Sequence, residues 1–382
     1  MSLPSGGRVG ARRGGALPAR GDGEERGNAP ARVPRAVGIR RYAGLSEHAP
    51  WVVRCAPGLA RVATTELRFR KILARGVEPT VLRQRNHDLL FIARAGDTPP
   101  DLTLRIPEEI HYCPLFGRYK ISQEQIGRLA TLLRAQERPF RIVVTADGMQ
   151  FPRVETRRWL AHRLTGLGVA ITEEPAEDNV LWLFCIEEAY YIGLLRSAAP
   201  DAPERARRVV ERPGSLPPTI AAAIAFLGAP RADDVILDPV CGSGTLLAEA
   251  HGYAPGARLR GLDRDFAAVE AARQNLAAVK DVRLAIGDGA DSNLPAGSIS
   301  LFLGNLPFGK QFGDRATNGP LYERLLGEVE RLADPTGARA AFLTADTESF
   351  DAALAAHPGI TLDRRHTVKI RGEVATIFVL HR

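Results

Sequence analysis

Acidic residues follow three successive apolar segments in the C-terminal part of the chain. Asp238 ends VILD, Asp263 ends RLRGLD and Asp288 ends VRLAIGD. A carboxylate can accept hydrogen bonds from an ammonium group, a hydroxyl pair or an amine. A single acid at such a position is a helix N-cap about as often as it is a ligand-binding residue. Three of them at the carboxyl ends of neighbouring strands, where doubly wound sheets bind ligands, predict a shared binding site.

The turn in DPVCGSGT is built from small residues. Gly242 and Gly244 would let a ligand approach the main chain and the N-terminus of the next helix. A dinucleotide fingerprint needs a third glycine where Leu247 stands, and the acid before the turn suits a cation better than a diphosphate. With Asp263 placed for a ribose diol and Asp288 for an adenine amine, the pattern predicts a nucleoside cofactor that carries an amino-acid or sulfonium charge.

A fourth strand, ISLFLGN, ends at Asn305 and continues as Leu306, Pro307 and Phe308. The exocyclic amine of a base is a poor nucleophile, because its lone pair is delocalised into the ring. If the Asn305 side-chain carbonyl and the Leu306 main-chain carbonyl accept its two N–H groups, the lone pair can point at a methyl group. Phe308 could stack on the base while Pro307 stiffens the turn. The alternative is an ordinary strand-ending turn with Phe308 in a core.

The elements that must position these residues form an α/β pattern. Five apolar segments, VILDP, RLRGLD, VRLAIGD, ISLFLGN and RAAFLTAD, predict parallel strands buried on both faces, each but the last followed by a helix-compatible segment. ITLDRRHTVKI and VATIFVLHR predict a hairpin at the sheet edge. The N-terminal half alternates short strands and helices, which predicts two small α+β units in series, with LRIPEEIHYCPLFGRYKI bridging between them.

These patterns divide the chain into five parts. We predict an Arg/Gly/Pro-rich disordered tail over residues 1–45, α+β units over 46–110 and 111–197, a linker over 198–214, and the α/β domain over 215–382. The net charge of +7 arises mainly in residues 1–50, which hold nine arginines against four acids, so charge alone is weak evidence for a nucleic-acid partner.

Composition excludes several classes of protein. No apolar run is long enough to span a bilayer, and the N-terminus lacks the apolar core of a signal peptide, so we predict a cytoplasmic protein with no membrane partner. The four cysteines, Cys55, Cys113, Cys185 and Cys241, are far apart in sequence. They support neither a zinc site nor a disulfide framework, and we predict no metal.

The segments DPVCGSGT, GLDRD, GDG and NLPFGK resemble motifs of the THUMP-domain-containing RNA methyltransferases, in particular the tRNA guanine-N2 methyltransferase branch. The resemblance runs over about residues 51–382. NLPFG is also similar to the NPPY-type signature of S-adenosylmethionine-dependent enzymes that methylate planar nitrogen. Leu306 and Phe308 depart from the Pro and Tyr of that signature, but Leu-Pro-Phe-Gly is common in the guanine-N2 branch and favours guanine over adenine.

The resemblance implies a Rossmann-like class I methyltransferase domain preceded by a ferredoxin-like unit (46–110) and a THUMP-like RNA-binding unit (111–197). It further implies S-adenosylmethionine as cofactor and a tRNA substrate, and we expect a monomer. The catalytic candidates are Asn305, Leu306, Pro307 and Phe308. The cofactor candidates are Thr219, Asp238, Pro239, Cys241, Gly242, Ser243, Gly244, Thr245, Asp263, Arg264, Asp288, Gly289 and Asn305. The RNA-binding candidates are Arg141, Arg157, Arg158, Arg163 and Lys310.

Three alternatives stay open at this point. The same pocket chemistry would suit the N6 amine of adenine or the amide of a protein glutamine. A non-catalytic RNA-binding protein could also retain a cofactor fold. The set of Asp238, Asp263, Asp288 and Asn305 argues against the non-catalytic protein, and the N-terminal α+β half argues against a protein substrate.

Overall fold

The computed structural model describes residues 51–73, 76–83, 87–92, 104–118, 120–135, 138–146, 152–174, 179–186, 189–198, 210–308 and 315–382. The tail predicted over residues 1–45 and most of the linker predicted over 198–214 lie outside these ranges. No helix within them is long and apolar enough to cross a membrane.

The N-terminal unit is built on an eight-stranded sheet with the order β2-β3-β1-β4-β8-β7-β5-β6. Its strands are β1 (Trp51–Cys55), β2 (Thr80–Arg83), β3 (Asp88–Ile92), β4 (Glu109–Arg118), β5 (Phe140–Ala146), β6 (Ile171–Thr172), β7 (Val180–Ile186) and β8 (Ala189–Ala198). Its helices are α1 (Ala60–Phe69), α2 (Gln123–Arg134) and α3 (Arg153–Thr165).

Strand β4 joins the two α+β units that the sequence predicts. It pairs with β1 on one side and with β8 on the other, so both units share one continuous sheet. The boundary predicted after residue 110 falls inside this strand. The prediction that the segment is only a bridge was wrong, because Glu109 and the proline at position 114 break the apolar alternation that would indicate a strand.

The C-terminal unit is a seven-stranded sheet with the order β11-β10-β9-β12-β13-β15-β14. Its strands are β9 (Val235–Asp238), β10 (Arg258–Asp263), β11 (Val282–Ile286), β12 (Leu301–Asn305), β13 (Arg339–Thr344), β14 (Thr361–Ile370) and β15 (Glu373–His381). Its helices are α4 (Pro218–Leu227), α5 (Thr245–Tyr253), α6 (Phe266–Asn275), α7 (Arg315–Leu332) and α8 (Thr347–Ala355).

The five parallel strands and the terminal hairpin are confirmed. The chain moves outward from β9 to β11 and then returns to β12, so the strand order reverses between β9 and β12. Such a reversal opens a crevice at the carboxyl ends of the strands.

Three details of the prediction were wrong. Strand β11 lies at the sheet edge and is largely exposed, and residues 287–300 after it form no helix, since Pro295 and Gly297 interrupt the segment. A helix does follow β13, because Asp346 caps α8 by accepting the Ser349 N–H at 3.3 Å.

The two units pack directly on each other through a buried polar cluster. Glu66 of α1 accepts the main-chain N–H groups of Arg105 (2.9 Å) and Ile106 (3.0 Å) and the hydroxyl of Tyr253 (2.7 Å). The Arg105 guanidinium pairs with Glu249 at 2.9 Å, with both side chains buried. Because Glu249 and Tyr253 lie on α5, these contacts bind the N-terminal unit to the helix that follows the Gly-rich turn.

Candidate active site

A cleft that is open to solvent lies at the carboxyl ends of the parallel strands. Predicted residues that line it are Pro239, Asp263, Arg264, Asp288, Gly289, Leu306 and Pro307. Val240, Gly287, Ala290, Leu321, Tyr322 and Leu325 also line it and were not predicted. The last three lie on α7, and no motif in the sequence indicated that this helix would form a wall of the cleft.

Asp238 closes the end of β9 and is almost entirely buried, with 1% of its surface exposed. Its Oδ1 accepts the Val240 N–H at 3.1 Å. Burial raises the pKa of Asp238 to about 8, and the nearby Asp263 carboxylate contributes to the rise. Burial therefore favours the neutral form of the Asp238 carboxyl group.

Glycines shape the turns that carry the acids. Gly242 (φ +52°) and Gly244 (φ +80°) adopt the left-handed region, and a Cβ on Gly244 would lie 2.8 Å from the Leu276 side chain, where α5 packs on α6. A Cβ on Gly289 would lie 2.0 Å from the main-chain oxygen of Pro239. The turn after β11 can therefore approach the turn after β9 this closely only because residue 289 is a glycine.

The other predicted residues of the first turn face the protein. Ser243 and Thr245 are buried, and the Ser243 hydroxyl lies 3.0 Å from that of Ser215 in the segment before α4. The Cys241 thiol is buried, and burial raises its pKa, as expected for an unreactive core thiol. Thr219 is buried in the first turn of α4.

Asp263 and Asp288 hold their carboxylates in different ways. Asp263 accepts the main-chain N–H groups of Gly242 (2.8 Å) and Asp265 (2.9 Å), which ties the first turn to the second. Asp288 accepts hydrogen bonds from the guanidinium groups of Arg264 and Arg324. Burial works to raise the pKa of Asp288, but these arginines and the Ala290 N–H outweigh it and lower the pKa below its usual value.

The end of β12 presents an unsatisfied acceptor. Asn305 Oδ1 is shielded from solvent and has no hydrogen-bond partner among the residues that the structure describes. The turn after it is anchored, since the Leu306 N–H donates to the Leu343 carbonyl at 2.9 Å and the Tyr322 hydroxyl donates to the Pro307 carbonyl. Phe308 is half-buried and packs against the hydrophobic core cluster that includes Leu246, Leu303 and Leu343. Its role in base stacking stays a prediction.

The arginines predicted to bind RNA do not all lie together. Arg157, Arg158 and Arg163 lie on α3, where Arg157 pairs with Glu173 at 3.1 Å. The side chains before and after Arg141 on β5 pack with α3, so Arg141 lies on the opposite face of the sheet. Lys310 lies outside the described residues.

The residues present fit a nucleoside cofactor with a positive charge. Asp263, which bridges two turns, and Asp288 line the cleft, whereas the buried Asp238 lies directly before Pro239 in its wall. In the described ranges no three His, Cys, Asp or Glu side chains lie close enough together to hold a metal ion.

Residues 205–375 match the family model described as UPF0020, RMKL-like, methyltransferase domain. A similar protein, tRNA (guanine(6)-N(2))-methyltransferase THUMP3 of Bos taurus, is 33% identical over 187 residues, which cover 44% of this chain and 37% of that protein. U6 snRNA (guanine-N(2))-methyltransferase THUMPD2 of Mus musculus is 32% identical over 144 residues, covering 37% of this chain and 26% of that protein. The chain thus spans between about a quarter and somewhat more than a third of the length of these relatives.

The similarity to a solved structure extends further along the chain. The crystal structure of TrmN from Thermus thermophilus aligns with a TM-score of 0.69 at 25% identity, covering 87% of this chain and 99% of that one. It therefore includes the N-terminal unit as well as the α/β domain. Residues 205–375 are thus similar to an RMKL-like methyltransferase domain, and the chain resembles proteins named as RNA guanine-N2 methyltransferases.

Proposed function

We propose that this protein transfers the methyl group of S-adenosylmethionine to the exocyclic N2 of a guanine in tRNA, acting as a monomer in the cytoplasm. The cofactor supplies a methyl group bound to a positively charged sulfur. Asp238 would face the charged amino-acid end of the cofactor, Asp263 the ribose diol and Asp288 the adenine amine. Pro239 and Gly289 would form the floor between them.

The observation that carries the proposal is the unpartnered oxygen of Asn305. A buried acceptor without a donor costs about 1–3 kcal/mol, and a role in the chemistry of a site is one reason for a protein to retain such an atom. Asn305 stands at the end of β12, directly before two residues that line the cleft, Leu306 and Pro307. A donor that enters the cleft is the partner that this oxygen lacks.

The chemistry follows from the number of acceptors. When Asn305 Oδ1 and the Leu306 carbonyl each accept one N–H of an amine, the nitrogen becomes more tetrahedral and its lone pair leaves the ring system. The lone pair can then attack the methyl group. No strong general base is required, because the methylated nitrogen is cationic and readily loses a proton to water.

Guanine is favoured over adenine by the relatives and by the turn itself. Both similar proteins described above are named as guanine-N2 methyltransferases. The Leu-Pro-Phe-Gly form of the turn agrees with that assignment. The N-terminal sheet, which extends the similarity to TrmN, supports an RNA rather than a protein substrate.

Nucleoside mass spectrometry tests the proposal. The full chain is incubated with cofactor labelled in its methyl group and, in parallel, with bulk tRNA or a U6 snRNA transcript. We expect labelled N2-methylguanosine from tRNA. Label in N6-methyladenosine would overturn the choice of guanine as the target base. Label in the U6 transcript alone would overturn the choice of tRNA as the substrate. If neither RNA is labelled, the proposed methyltransferase activity is wrong.

A further inference from the structure

We propose that Tyr322 is a positioning residue for the turn of residues 305–308. Its hydroxyl occupies the Pro307 carbonyl and so leaves two acceptors, Asn305 Oδ1 and the Leu306 carbonyl, for an amine that has two N–H groups. The inference rests on the proposed function and deepens it. Tyr322 belongs to none of the motifs that the sequence offers for the site.

The location of Tyr322 suits this role. It lies on α7 in the wall of the cleft, and its side chain is fully buried. Its ring meets that of Phe350 at a centroid distance of 5.6 Å and an interplanar angle of 68°. Because the ring is held by packing, its hydroxyl has little freedom to point anywhere except toward its two partners, the Pro307 carbonyl and the Thr344 hydroxyl.

The hydrogen bonds around this hydroxyl can run in only one direction. The Pro307 carbonyl can only accept, so Tyr322 must give it the single phenolic hydrogen. The Thr344 hydroxyl, 2.8 Å away, must therefore donate to Tyr322. Thr344 in turn accepts the Asp346 N–H at 3.0 Å. A directed chain thus runs from the start of α8 to the Pro307 carbonyl.

This chain fixes the orientation of one peptide plane. With its oxygen held by Tyr322, the peptide between Pro307 and Phe308 cannot turn without breaking this partly buried hydrogen bond. The orientation of this peptide plane therefore fixes the direction in which the main chain enters Phe308. Pro307 has no N–H to compete for these partners. Tyr322 would thus act on the substrate through the turn, without touching the reacting nitrogen.

Replacing the hydroxyl isolates this contribution. We expect Tyr322→Phe to lower kcat for RNA methylation roughly 10- to 100-fold, because the turn loses its only phenolic donor, while the KM for RNA and the affinity for cofactor change less than about threefold. Tyr190→Phe is the matched control. It removes an equally buried hydroxyl that donates to Gln125 at 2.7 Å in the N-terminal unit. We expect kcat of this variant to equal that of the wild type.

A second pair of variants tests the direction of the chain. Thr344→Val removes the donor to Tyr322 but leaves the bond to Pro307 possible, so we expect a smaller fall in kcat than for Tyr322→Phe. Thr344→Ser keeps the hydroxyl and should restore most of the activity. Equal losses for Tyr322→Phe and Tyr190→Phe would overturn the inference, as would a larger loss for Thr344→Val than for Tyr322→Phe.

Hydrogen exchange provides a readout that does not depend on activity. Amide exchange in a peptide covering residues 301–308 should accelerate in Tyr322→Phe and remain at the wild-type rate in Tyr190→Phe. Unchanged exchange in Tyr322→Phe would contradict the positioning role even if methylation were slower. If wild-type protein methylates no RNA, the proposed function fails, and the exchange comparison still decides whether Tyr322 holds the turn.

Discussion

Asp238 and Asp288 lie at the carboxyl ends of two strands of one sheet, yet their carboxyl groups have opposite electrostatic surroundings. Asp238 is buried with one N–H donor, and its pKa is raised to about 8. Asp288 lies between two arginine guanidinium groups, and its pKa is lowered. Asp238 therefore has no cationic partner among the described residues, whereas the charge of Asp288 is balanced by two arginines of the protein. The position of an acid at a strand end predicts a ligand contact, but only its surroundings determine which charge it favours.

The largest expected effect on cofactor binding is at the buried Asp238. We expect Asp238→Asn to weaken cofactor binding by about 2–5 kcal/mol, the range for removing one partner of a buried charge pair. Isothermal titration calorimetry at pH 8.5 measures the loss. Asp334→Asn, in an exposed turn that does not line the cleft, is the control. An unchanged affinity in Asp238→Asn would show that the charged end of the cofactor does not bind next to Asp238.

The same acid makes binding and stability depend on pH in opposite directions. Between the ordinary pKa of 3.8 and the raised value of about 8, the unfolded chain loses the Asp238 proton while the folded protein keeps it. The free energy of unfolding without cofactor should therefore fall as pH rises through this window. Cofactor affinity should rise, because a cation binds the ionised form.

Asp238→Asn should remove both trends. The variant without cofactor should then be more stable than the wild type at pH 8, by on the order of 2–5 kcal/mol. Urea denaturation at pH 5 and pH 8 gives the comparison. A parallel pH dependence in wild type and variant would show that Asp238 does not titrate in this window.

A smaller effect is expected at Asp263. Asp263→Ala should weaken cofactor binding by roughly 1–3 kcal/mol, because a ribose acceptor is lost in a partly buried site. It should also destabilise the protein, since the Gly242 and Asp265 N–H groups lose their acceptor. Stabilisation in Asp238→Asn together with destabilisation in Asp263→Ala would sharpen the distinction between the two acids. Calorimetric affinity equal to that of the wild type would exclude Asp263 from ligand binding.

The smallest effect is expected at the partly exposed Asp288. Arg324→Gln breaks one of two partly exposed ion pairs to Asp288, and such pairs contribute about 0–1 kcal/mol. Cofactor affinity should change less than about threefold, and the change should shrink further at high salt. A tenfold loss at high salt would mean that Arg324 binds the cofactor itself.

The sequence predicts the parts of the site that follow the chain locally. A strand, its terminal acid and its glycine turn are adjacent residues, so the order of Asp238, Asp263, Asp288 and Asn305 could be predicted. The wall that α7 contributes could not, because Tyr322 reaches Pro307 only through tertiary packing. The same holds for β4, whose polar residues are accommodated by neighbours on other strands, as where Glu109 pairs with Arg54 of β1 at 2.9 Å.

The RNA-binding prediction shows a related limit. Arg141 and the arginines of α3 are close in sequence, but strand alternation places Arg141 on the other face of the sheet from α3. Sequence distance therefore says little about a shared surface when a strand and a helix are compared. The role of each arginine in RNA binding stays a prediction.

The most direct test of the central claim is the Asn305→Ala variant. Calorimetry measures cofactor affinity, and transfer of a radioactive methyl group to tRNA measures turnover. Asn179→Ala, which removes an amide that donates to the Arg138 carbonyl in the N-terminal unit, is the matched control. We expect transfer by Asn305→Ala to be abolished while cofactor affinity stays within a few-fold of the wild type. Turnover at the wild-type rate would contradict the account, because the target amine would then need no acceptor at residue 305.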